Sequence, residues 1–264
     1  MARADNSRMA GRFDNLHFAA PFVRSQDGVV SLHFTLGETQ SSMRADRPDE
    51  LQIDYTRTMM GFLLLQPRPR EIVMIGLGGG SLAKFCLRHL PSARMTVVEN
   101  NPGVIALREA FRIPDDNGRF RVVAADGAAY LRERTDGIDV LLVDGFDENG
   151  QPPALCSQAF YDDCRRALAP GGVLVVNLHA DDAGHDLRAR RIAAAFGGHA
   201  VQAMASGQAN CVVFAVHDGP VTIEQLRSGQ WMRALSPEGR RQLKDDMALV
   251  GWHACALRAG DQEY

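Results

Sequence analysis

Residues 71–81, reading EIVMIGLGGGS, run a hydrophobic strand directly into a glycine cluster that opens a helix. Few local patterns constrain a fold as tightly. Gly76, Gly78, Gly79 and Gly80 lack a Cβ, so the chain can turn sharply and a ligand can approach the main chain closely. The next helix then points unpaired N–H groups at that ligand, the arrangement of a nucleotide-cofactor site. A tight strand-to-helix turn with no ligand is the competing reading, and the residues that follow decide between them.

The rest of the chain repeats the unit. Strands are expected over residues 72–75, 95–98, 120–124, 140–143, 173–177, 200–204 and 211–216, with helices over 82–90, 102–111, 128–132, 158–168 and 187–196. Asn101 caps the second of these helices, with Pro102 at its first position, and Ser157 caps the fourth. This alternation describes an α/β fold around a mostly parallel seven-stranded sheet. Upstream, VVSLHFTL at 29–36 alternates and suggests a short N-terminal β-hairpin after a polar, disordered start. Asp49 can cap a helix through 55–65, whose apolar stripe of Leu51, Tyr55, Met59, Phe62 and Leu63 reads as core before Pro67 and Pro69 stop it. Downstream, a capping box at Thr222–Gln225 and a helix start near Ser236-Pro237 make the tail helical. Its apolar residues Leu226, Met232, Leu235, Leu243, Met247, Leu249, Val250 and Trp252 dock on the body or on a second copy, with docking on the body favoured. The expected division is 1–48 for the tail and hairpin, 49–218 for the α/β domain and 219–264 for a helical extension.

A net charge of -3 with 45% hydrophobic residues carries no basic excess, so nucleic acid is not an expected partner. No apolar run approaches membrane-spanning length and no signal peptide is evident, which points to a cytoplasmic protein without a membrane partner. The five cysteines, Cys86, Cys156, Cys164, Cys211 and Cys255, are scattered without metal-ligand spacing; reduced core thiols and no metal site are expected.

In parallel sheets ligands lie beyond the carboxyl ends of the strands, and here those ends are acidic. Glu99 closes the second strand of the sheet about twenty residues past the glycines, where a carboxylate can accept both hydroxyls of an adenosine ribose. Asp126-Gly127 follows the third strand and Asp144-Gly145 the fourth. A dinucleotide fold explains Glu99 but gives the other two acids no task. A compact adenosyl ligand lying across all the strand ends gives each of them one.

These segments, IVMIGLGGGSLAKF, VVENNPGVI, VVAADGAAYL and DVLLVDGFDENGQPPALCSQAFYDDCRRALAPGGVLVVNL, with DELQIDYTRTM before them, resemble the spermidine synthase-like group of polyamine aminopropyltransferases. The resemblance covers residues 49–178 and implies a Rossmann-like class I methyltransferase fold. It implies that Glu99 grips ribose, that Asp126 and Gly127 meet adenine, and that Asp144 with Asp147 begins the active-site loop. Gly76, Gly78 and Gly79 would hold the cofactor. The stretch 151–155 resembles the family's gate over the adenine, which implicates Pro153 and Ala154, and Tyr55 lies near the family's polyamine-contacting tyrosine. The implied co-substrate is S-adenosylmethionine or its decarboxylated form, and the implied partner is a putrescine-like amine. Family habit implies a homodimer.

The implied chemistry is displacement at a carbon beside a sulfonium by a neutral amine, so the enzyme must orient the amine and accept its proton. Asp144 would do both with Tyr55 as a hydrogen-bonding partner, and Asp147 would hold the far cationic end or shape the loop. His179 and His185, after the fifth strand, are loop histidines that can face the cleft. Two departures fall where substrate is chosen. Gly79 stands where the family carries an acid that binds the propylammonium of the decarboxylated cofactor, which leaves cofactor choice open. Residues 204–208 lack the family's polyamine-contacting tyrosine; the hairpin is also abbreviated and Arg57 replaces a frequent acid, adding a cation to a diamine pocket. The alternatives are a methyltransferase on the same fold, a catalytically silent adenosyl-binding or dimerisation module and, more distantly, an NAD-dependent oxidoreductase.

Overall fold

The computed structural model describes residues 20–36, 39–147 and 149–260, with side chains for all but residues 223 and 254–260. The polar start of the chain and the side chain of Cys255 lie outside the described residues. Strands β1 (Phe22–Gln26), β2 (Val29–His33) and β3 (Ser41–Arg44) form an antiparallel three-stranded sheet, so the expected hairpin gains a third strand. Residues 49–53 then run without regular structure into α1 (Asp54–Met59), which passes into a 3₁₀ turn at Met60–Leu64. Asp49 is not the cap of this helix. Ile53 occupies that position with no side-chain hydrogen bond, and Asp49 instead pairs with Arg88 at 3.2 Å.

The main sheet comprises β4 (Glu71–Ile75), β5 (Arg94–Glu99), β6 (Phe120–Ala124), β7 (Ile138–Val143), β8 (Leu168–His179), β9 (Ala200–Met204) and β10 (Asn210–Val216). Its order is β6-β5-β4-β7-β8-β10-β9, parallel except for β10, which runs antiparallel to both neighbours. Between the strands lie α2 (Ser81–His89), α3 (Pro102–Ala106), α4 (Gly127–Arg132), α5 (Gln158–Ala167) and α6 (His185–Ala195). Asn101 and Ser157 cap α3 and α5 as expected, accepting from the N–H groups of Gly103 and Phe160. The α3 helix stops at Ala106, short of the expected 111. The chain continues in turns that bury Phe111 and reverse at Arg112, whose φ is +51°.

Strand parity divides the core. Ile72, Met74, Val97, Val140, Leu142, Val175 and Phe214 face one side of the sheet with α2 and the 3₁₀ turn, whereas Val73, Ile75, Leu141, Val143, Val176 and Val213 face α4, α5 and α6 on the other. The tail forms α7 (Ile223–Arg227), α8 (Trp231–Ala234) and α9 (Pro237–Gly260), and the expected capping box at Thr222 and Gln225 is formed. Leu226, Trp231, Leu235, Leu243, Met247 and Val250 are buried in the first of these cores, while Met232 and Trp252 are exposed. The tail therefore docks on the body. Asp246 of α9 receives the Nε of Arg57 at 3.0 Å, and Arg57 also donates to the carbonyl of Leu51 at 2.9 Å.

The fully buried Leu243 offers a test of this docking. Leu243→Ala should cost about 2–5 kcal/mol in chemical denaturation, independent of protein concentration, whereas Trp252→Ala should change stability by less than about 0.5 kcal/mol. A loss at Leu243 that scales with protein concentration would place the tail in an intermolecular contact.

Candidate active site

The carboxyl ends of β4, β5 and β7 are in register, Ile75 standing opposite both Val98 and Val143. The chain order reverses between β4 and β7, since β5 and β6 lie to one side and β7 and β8 to the other. A crevice opens at such a reversal. Gly76 sits at its floor with φ +93°, its N–H bonded to the carbonyl of Val98, while the Asp144 N–H bonds the carbonyl of Ile75 at 2.9 Å. A Cβ on Gly76 would strike the carbonyl oxygen of Asp144. At Gly127 and Gly145 a Cβ would come within 2.5 Å of Ile75 and Leu155 respectively. The cradle is bare backbone because nothing larger fits. The resulting cleft has a volume of about 610 Å³.

Glu99, Asp126, Asp144 and Asp147 all line it, together with Tyr55, Gly76, Gly78, Gly127 and Ala154. Glu99 is 8% exposed and its two oxygens accept the N–H groups of Leu77 and Asn101, each at 2.8 Å. Burial raises its pKa, and those backbone donors oppose the rise. A carboxylate has about four lone-pair sites, so Glu99 retains capacity for a further donor. Asp126 caps α4 through Oδ1, which accepts the Ala129 N–H at 2.8 Å. Asp147 accepts the Asn149 N–H at 2.7 Å and its backbone pairs with Gly150, so it shapes its own loop.

Asp144 is half-buried between two donors. Its Oδ2 accepts the Tyr55 hydroxyl at 3.1 Å and its Oδ1 the Asn177 amide at 2.9 Å. Burial raises the pKa of Asp144, while Asn177, Tyr55 and the nearby His179 pull it down. The Tyr55 phenol is pushed well above its ordinary value, first by burial and then by the Asp144 charge. Parity explains the meeting. Asp144 continues the face of Val140 and Leu142, Asn177 that of Val173 and Val175, and α1 covers that side. Asp54, the residue before Tyr55, accepts the Gly207 N–H at 2.5 Å and the Ser206 hydroxyl at 3.3 Å, tying α1 to the β9–β10 turn.

Three expectations are corrected. Gly79 does not line the cleft; a Cβ there would lie 2.6 Å from the Ser41 hydroxyl and 2.8 Å from the Phe111 ring. Pro153 also lies outside the wall, which is formed instead by Pro152, Ala154 and Leu155. Arg57 adds no cation to the cleft, because Asp246 holds its guanidinium elsewhere. Of the two histidines expected in a loop, His179 instead closes β8, lines the cleft and stacks on Phe146 with ring centroids 4.6 Å apart, whereas His185 opens α6 and turns to Gln202. Asn177, Asn210, Gln40 and Phe34 join the wall without having been singled out in the sequence. Asn177 stands at a strand's carboxyl end, so the rule that located the acids applied to it as well. Among the described residues no group of three or more His, Cys, Asp or Glu side chains is placed to hold a metal ion. Burial raises the thiols of Cys86, Cys164 and Cys211.

Residues 52–181 match the spermine/spermidine synthase domain. The chain is 39% identical over 199 residues to the polyamine aminopropyltransferase of Chromobacterium violaceum, covering 75% of this chain and 76% of that one. The chain belongs to the spermine/spermidine synthase family. A polyamine aminopropyltransferase of Neisseria meningitidis is 38% identical over 200 residues, with the same coverage of both chains. A spermidine synthase in complex with the transition-state analogue AdoDATO superposes with a TM-score of 0.62 at 21% identity, over 84% of this chain and 78% of that one. Human methyltransferase-like protein 13, in complex with SAH, gives 0.60 at 23% identity, over 74% and 93%. Both describe the fold: the α/β architecture expected of class I methyltransferases and shared by spermidine synthases.

The crowding at Gly79 has a direct consequence. Gly79→Asp, which restores the acid common in the family, should destabilise the protein by about 1–3 kcal/mol through overpacking against Ser41 and Phe111. Denaturation of wild type and variant with no ligand present measures this, and equal stability would show that the loop has room for the acid.

Proposed function

We propose that this chain transfers the aminopropyl group of decarboxylated S-adenosylmethionine to a small, putrescine-like amine. The single observation that carries this reading is the charge of the cleft, which, among the described residues, four carboxylates line and no Lys or Arg does. A sulfonium bearing a propylammonium brings only positive charge to such a wall. The α-carboxylate of S-adenosylmethionine would enter it without a counterion. Gly79 does not line the cleft, so its lack of an acid leaves this field unchanged, and the decarboxylated co-substrate is favoured.

In this reading Glu99 accepts the ribose hydroxyls and Asp126 with Gly127 borders the adenine, which Ala154 covers. The acceptor nitrogen donates its lone pair to the propyl carbon next to sulfur. The N–C bond forms, the C–S bond breaks, and its electron pair returns to sulfur, which leaves as the neutral thioether of methylthioadenosine. The nitrogen becomes cationic and passes a proton to Asp144, which retains lone pairs beyond those engaged by Tyr55 and Asn177. No acid is needed at the leaving group. Asp147 stands at the cleft wall to meet the far ammonium. A homodimer and a cytoplasmic location complete the proposal; they rest on family habit and on free, buried cysteines, and no helix among the described residues is long and apolar enough to cross a membrane.

Asp144→Asn should lower turnover about 10²–10⁴-fold while leaving methylthioadenosine affinity within a few-fold. Both Asp144 and the amine must be deprotonated for attack, so the wild-type rate should rise with pH. The acid limb should lie above the ordinary carboxylate range, because burial raises Asp144. Release of methylthioadenosine, assayed with putrescine, cadaverine and longer polyamines, scores the transfer. Release of S-adenosylhomocysteine instead would make the chain a methyltransferase, and neither product would leave an adenosyl-binding module. Glu99→Gln, which keeps the shape of the side chain, should weaken methylthioadenosine binding about tenfold or more in calorimetry. Undiminished affinity would remove Glu99 from the ribose.

A further inference from the structure

Asp144 is held from the side opposite Tyr55 by a chain of two amides on neighbouring strands. Asn210 donates from Nδ2 to Oδ1 of Asn177 at 3.0 Å, and Asn177 donates from Nδ2 to Oδ1 of Asp144 at 2.9 Å. In the β8–β10 ladder Val212 stands opposite Asn177 and Asn210 opposite His179, which makes the two asparagines diagonal neighbours on one face of the sheet. Asn177 is 2% exposed, whereas Asn210 is half-buried at the wall of the cleft.

The direction of this chain follows from the chemistry of its last member. An ionised carboxylate only accepts, so Asn177 must turn its NH₂ toward Asp144 and its carbonyl oxygen away. That buried oxygen then needs a donor, and Asn210 is the group that supplies one. Asn210 must in turn give up an N–H, which leaves its own carbonyl oxygen free of any hydrogen bond to the described residues, at the rim of the cleft. An amide in this position can hold an amine N–H without stabilising the protonated ammonium as strongly as a carboxylate would.

We propose that Asn177 and Asn210 form a one-way amide relay in which Asn177 is the positioning residue that holds Asp144 ready to receive the amine proton, and Asn210 fixes the orientation of Asn177. The proposal rests on the assignment of Asp144 to the acceptor amine made above. It places the relay's effect on Asp144 and not on the adenosyl half of the cleft, which lies toward β5 and β6. Among the described residues, the charged and titratable groups around Asp144 are Tyr55 on α1, with Asp54 beside it, His179 on β8 and Asp147 on its own loop. The glycine loop after β4 brings none. Asn177 and Tyr55 are thus the two direct side-chain donors to Asp144 among the described residues, and removing one of them disfavours the ionised form.

The relay makes an unobvious prediction for Asn210→Asp. Adding a carboxylate to a cleft that binds amines should favour the acceptor, yet an aspartate cannot donate to Asn177. The Asn177 amide would turn over, pointing its carbonyl oxygen at Asp144. The test uses two readings of the full-length protein. One is the pH profile of kcat/KM for methylthioadenosine release with putrescine. The other is the titration of Asp144 itself by carbon NMR of protein labelled at aspartate side-chain carboxyls, its signal assigned with Asp144→Asn. Asn177→Leu and Asn210→Asp should each move the Asp144 titration and the acid limb of the profile to higher pH. The loss of kcat/KM should be about tenfold greater at the acid end than on the alkaline plateau. Methylthioadenosine affinity should stay within about twofold, and Asn177→Gln, which keeps an amide, should recover part of the acid-side loss. Should Asn177→Leu fail to fold, Asn210→Ala, at the half-buried end, carries the same expectation in smaller measure. An Asp144 titration unchanged in the folded variants would overturn the relay. A shifted titration in a protein that transfers nothing to any amine would sustain the relay and overturn the aminopropyltransferase reading.

Discussion

The close approach of three backbones at Gly76 is the constraint on which the rest of the site depends. There β4 ends, its neighbours β5 and β7 diverge, and hydrogen bonds through Gly76 and Asp144 bring the strand ends within backbone contact. A side chain at Gly76 would collide with the main chain of Asp144, so the crevice could not keep its present shape. The missing Cβ atoms at Gly127 and Gly145 extend the same economy along the floor. Backbone takes the space that side chains would otherwise fill, and the acids that follow each strand are left at the rim.

Those acids do not act as a uniform negative patch, because the surrounding structure gives each different hydrogen-bond donors. Glu99 is anchored by two main-chain N–H groups, so its position is tied to the glycine loop and to the turn after β5. Asp126 spends one oxygen on its helix and Asp147 one on its loop. Among the described residues, side chains hold Asp144 alone of the four, Tyr55 from α1 and Asn177 from β8. A carboxylate held by side-chain donors can have its proton affinity adjusted by substitution, without the backbone being disturbed. This makes Asp144 the member of the set best suited to proton transfer.

The peripheral segments serve the same centre. The α1 helix places Tyr55 over Asp144, and it is itself held at both ends: Asp54 receives the β9–β10 turn and Arg57 reaches Asp246 on α9. The tail is therefore part of the support beneath the Asp144 side of the cleft. The three-stranded N-terminal sheet contributes Leu32 and Phe34 to the opposite wall, and Met43 to the core beneath the glycine loop.

Much of this was legible in local pattern. Alternating apolar strands, the caps at Asn101 and Ser157, and the capping box at Thr222 are signals carried within a few residues, and each forms as read. The same holds for the acids, since residues directly after parallel strands must lie at one edge of the sheet. What escaped were facts of distance. The family-like reading of Gly79 and Arg57 assumed that both face the ligand, but Ser41, Phe111 and Asp246, remote in sequence, occupy the space or claim the charge. Asp49 looked like a cap because its composition fitted, yet Arg88 takes its carboxylate and the helix starts later. The amides Asn177 and Asn210 carry no motif; they meet because two antiparallel strands set them diagonally on one face. Sequence by itself determined the alternation of strands and helices in the main sheet and the acids that stand at the ends of three of its parallel strands, because hydrophobic period and capping are local. Only the tertiary structure decided which of those residues touch, and therefore which carboxylate is held by donors that can tune it, because contact depends on strand order, parity and the space left by distant side chains.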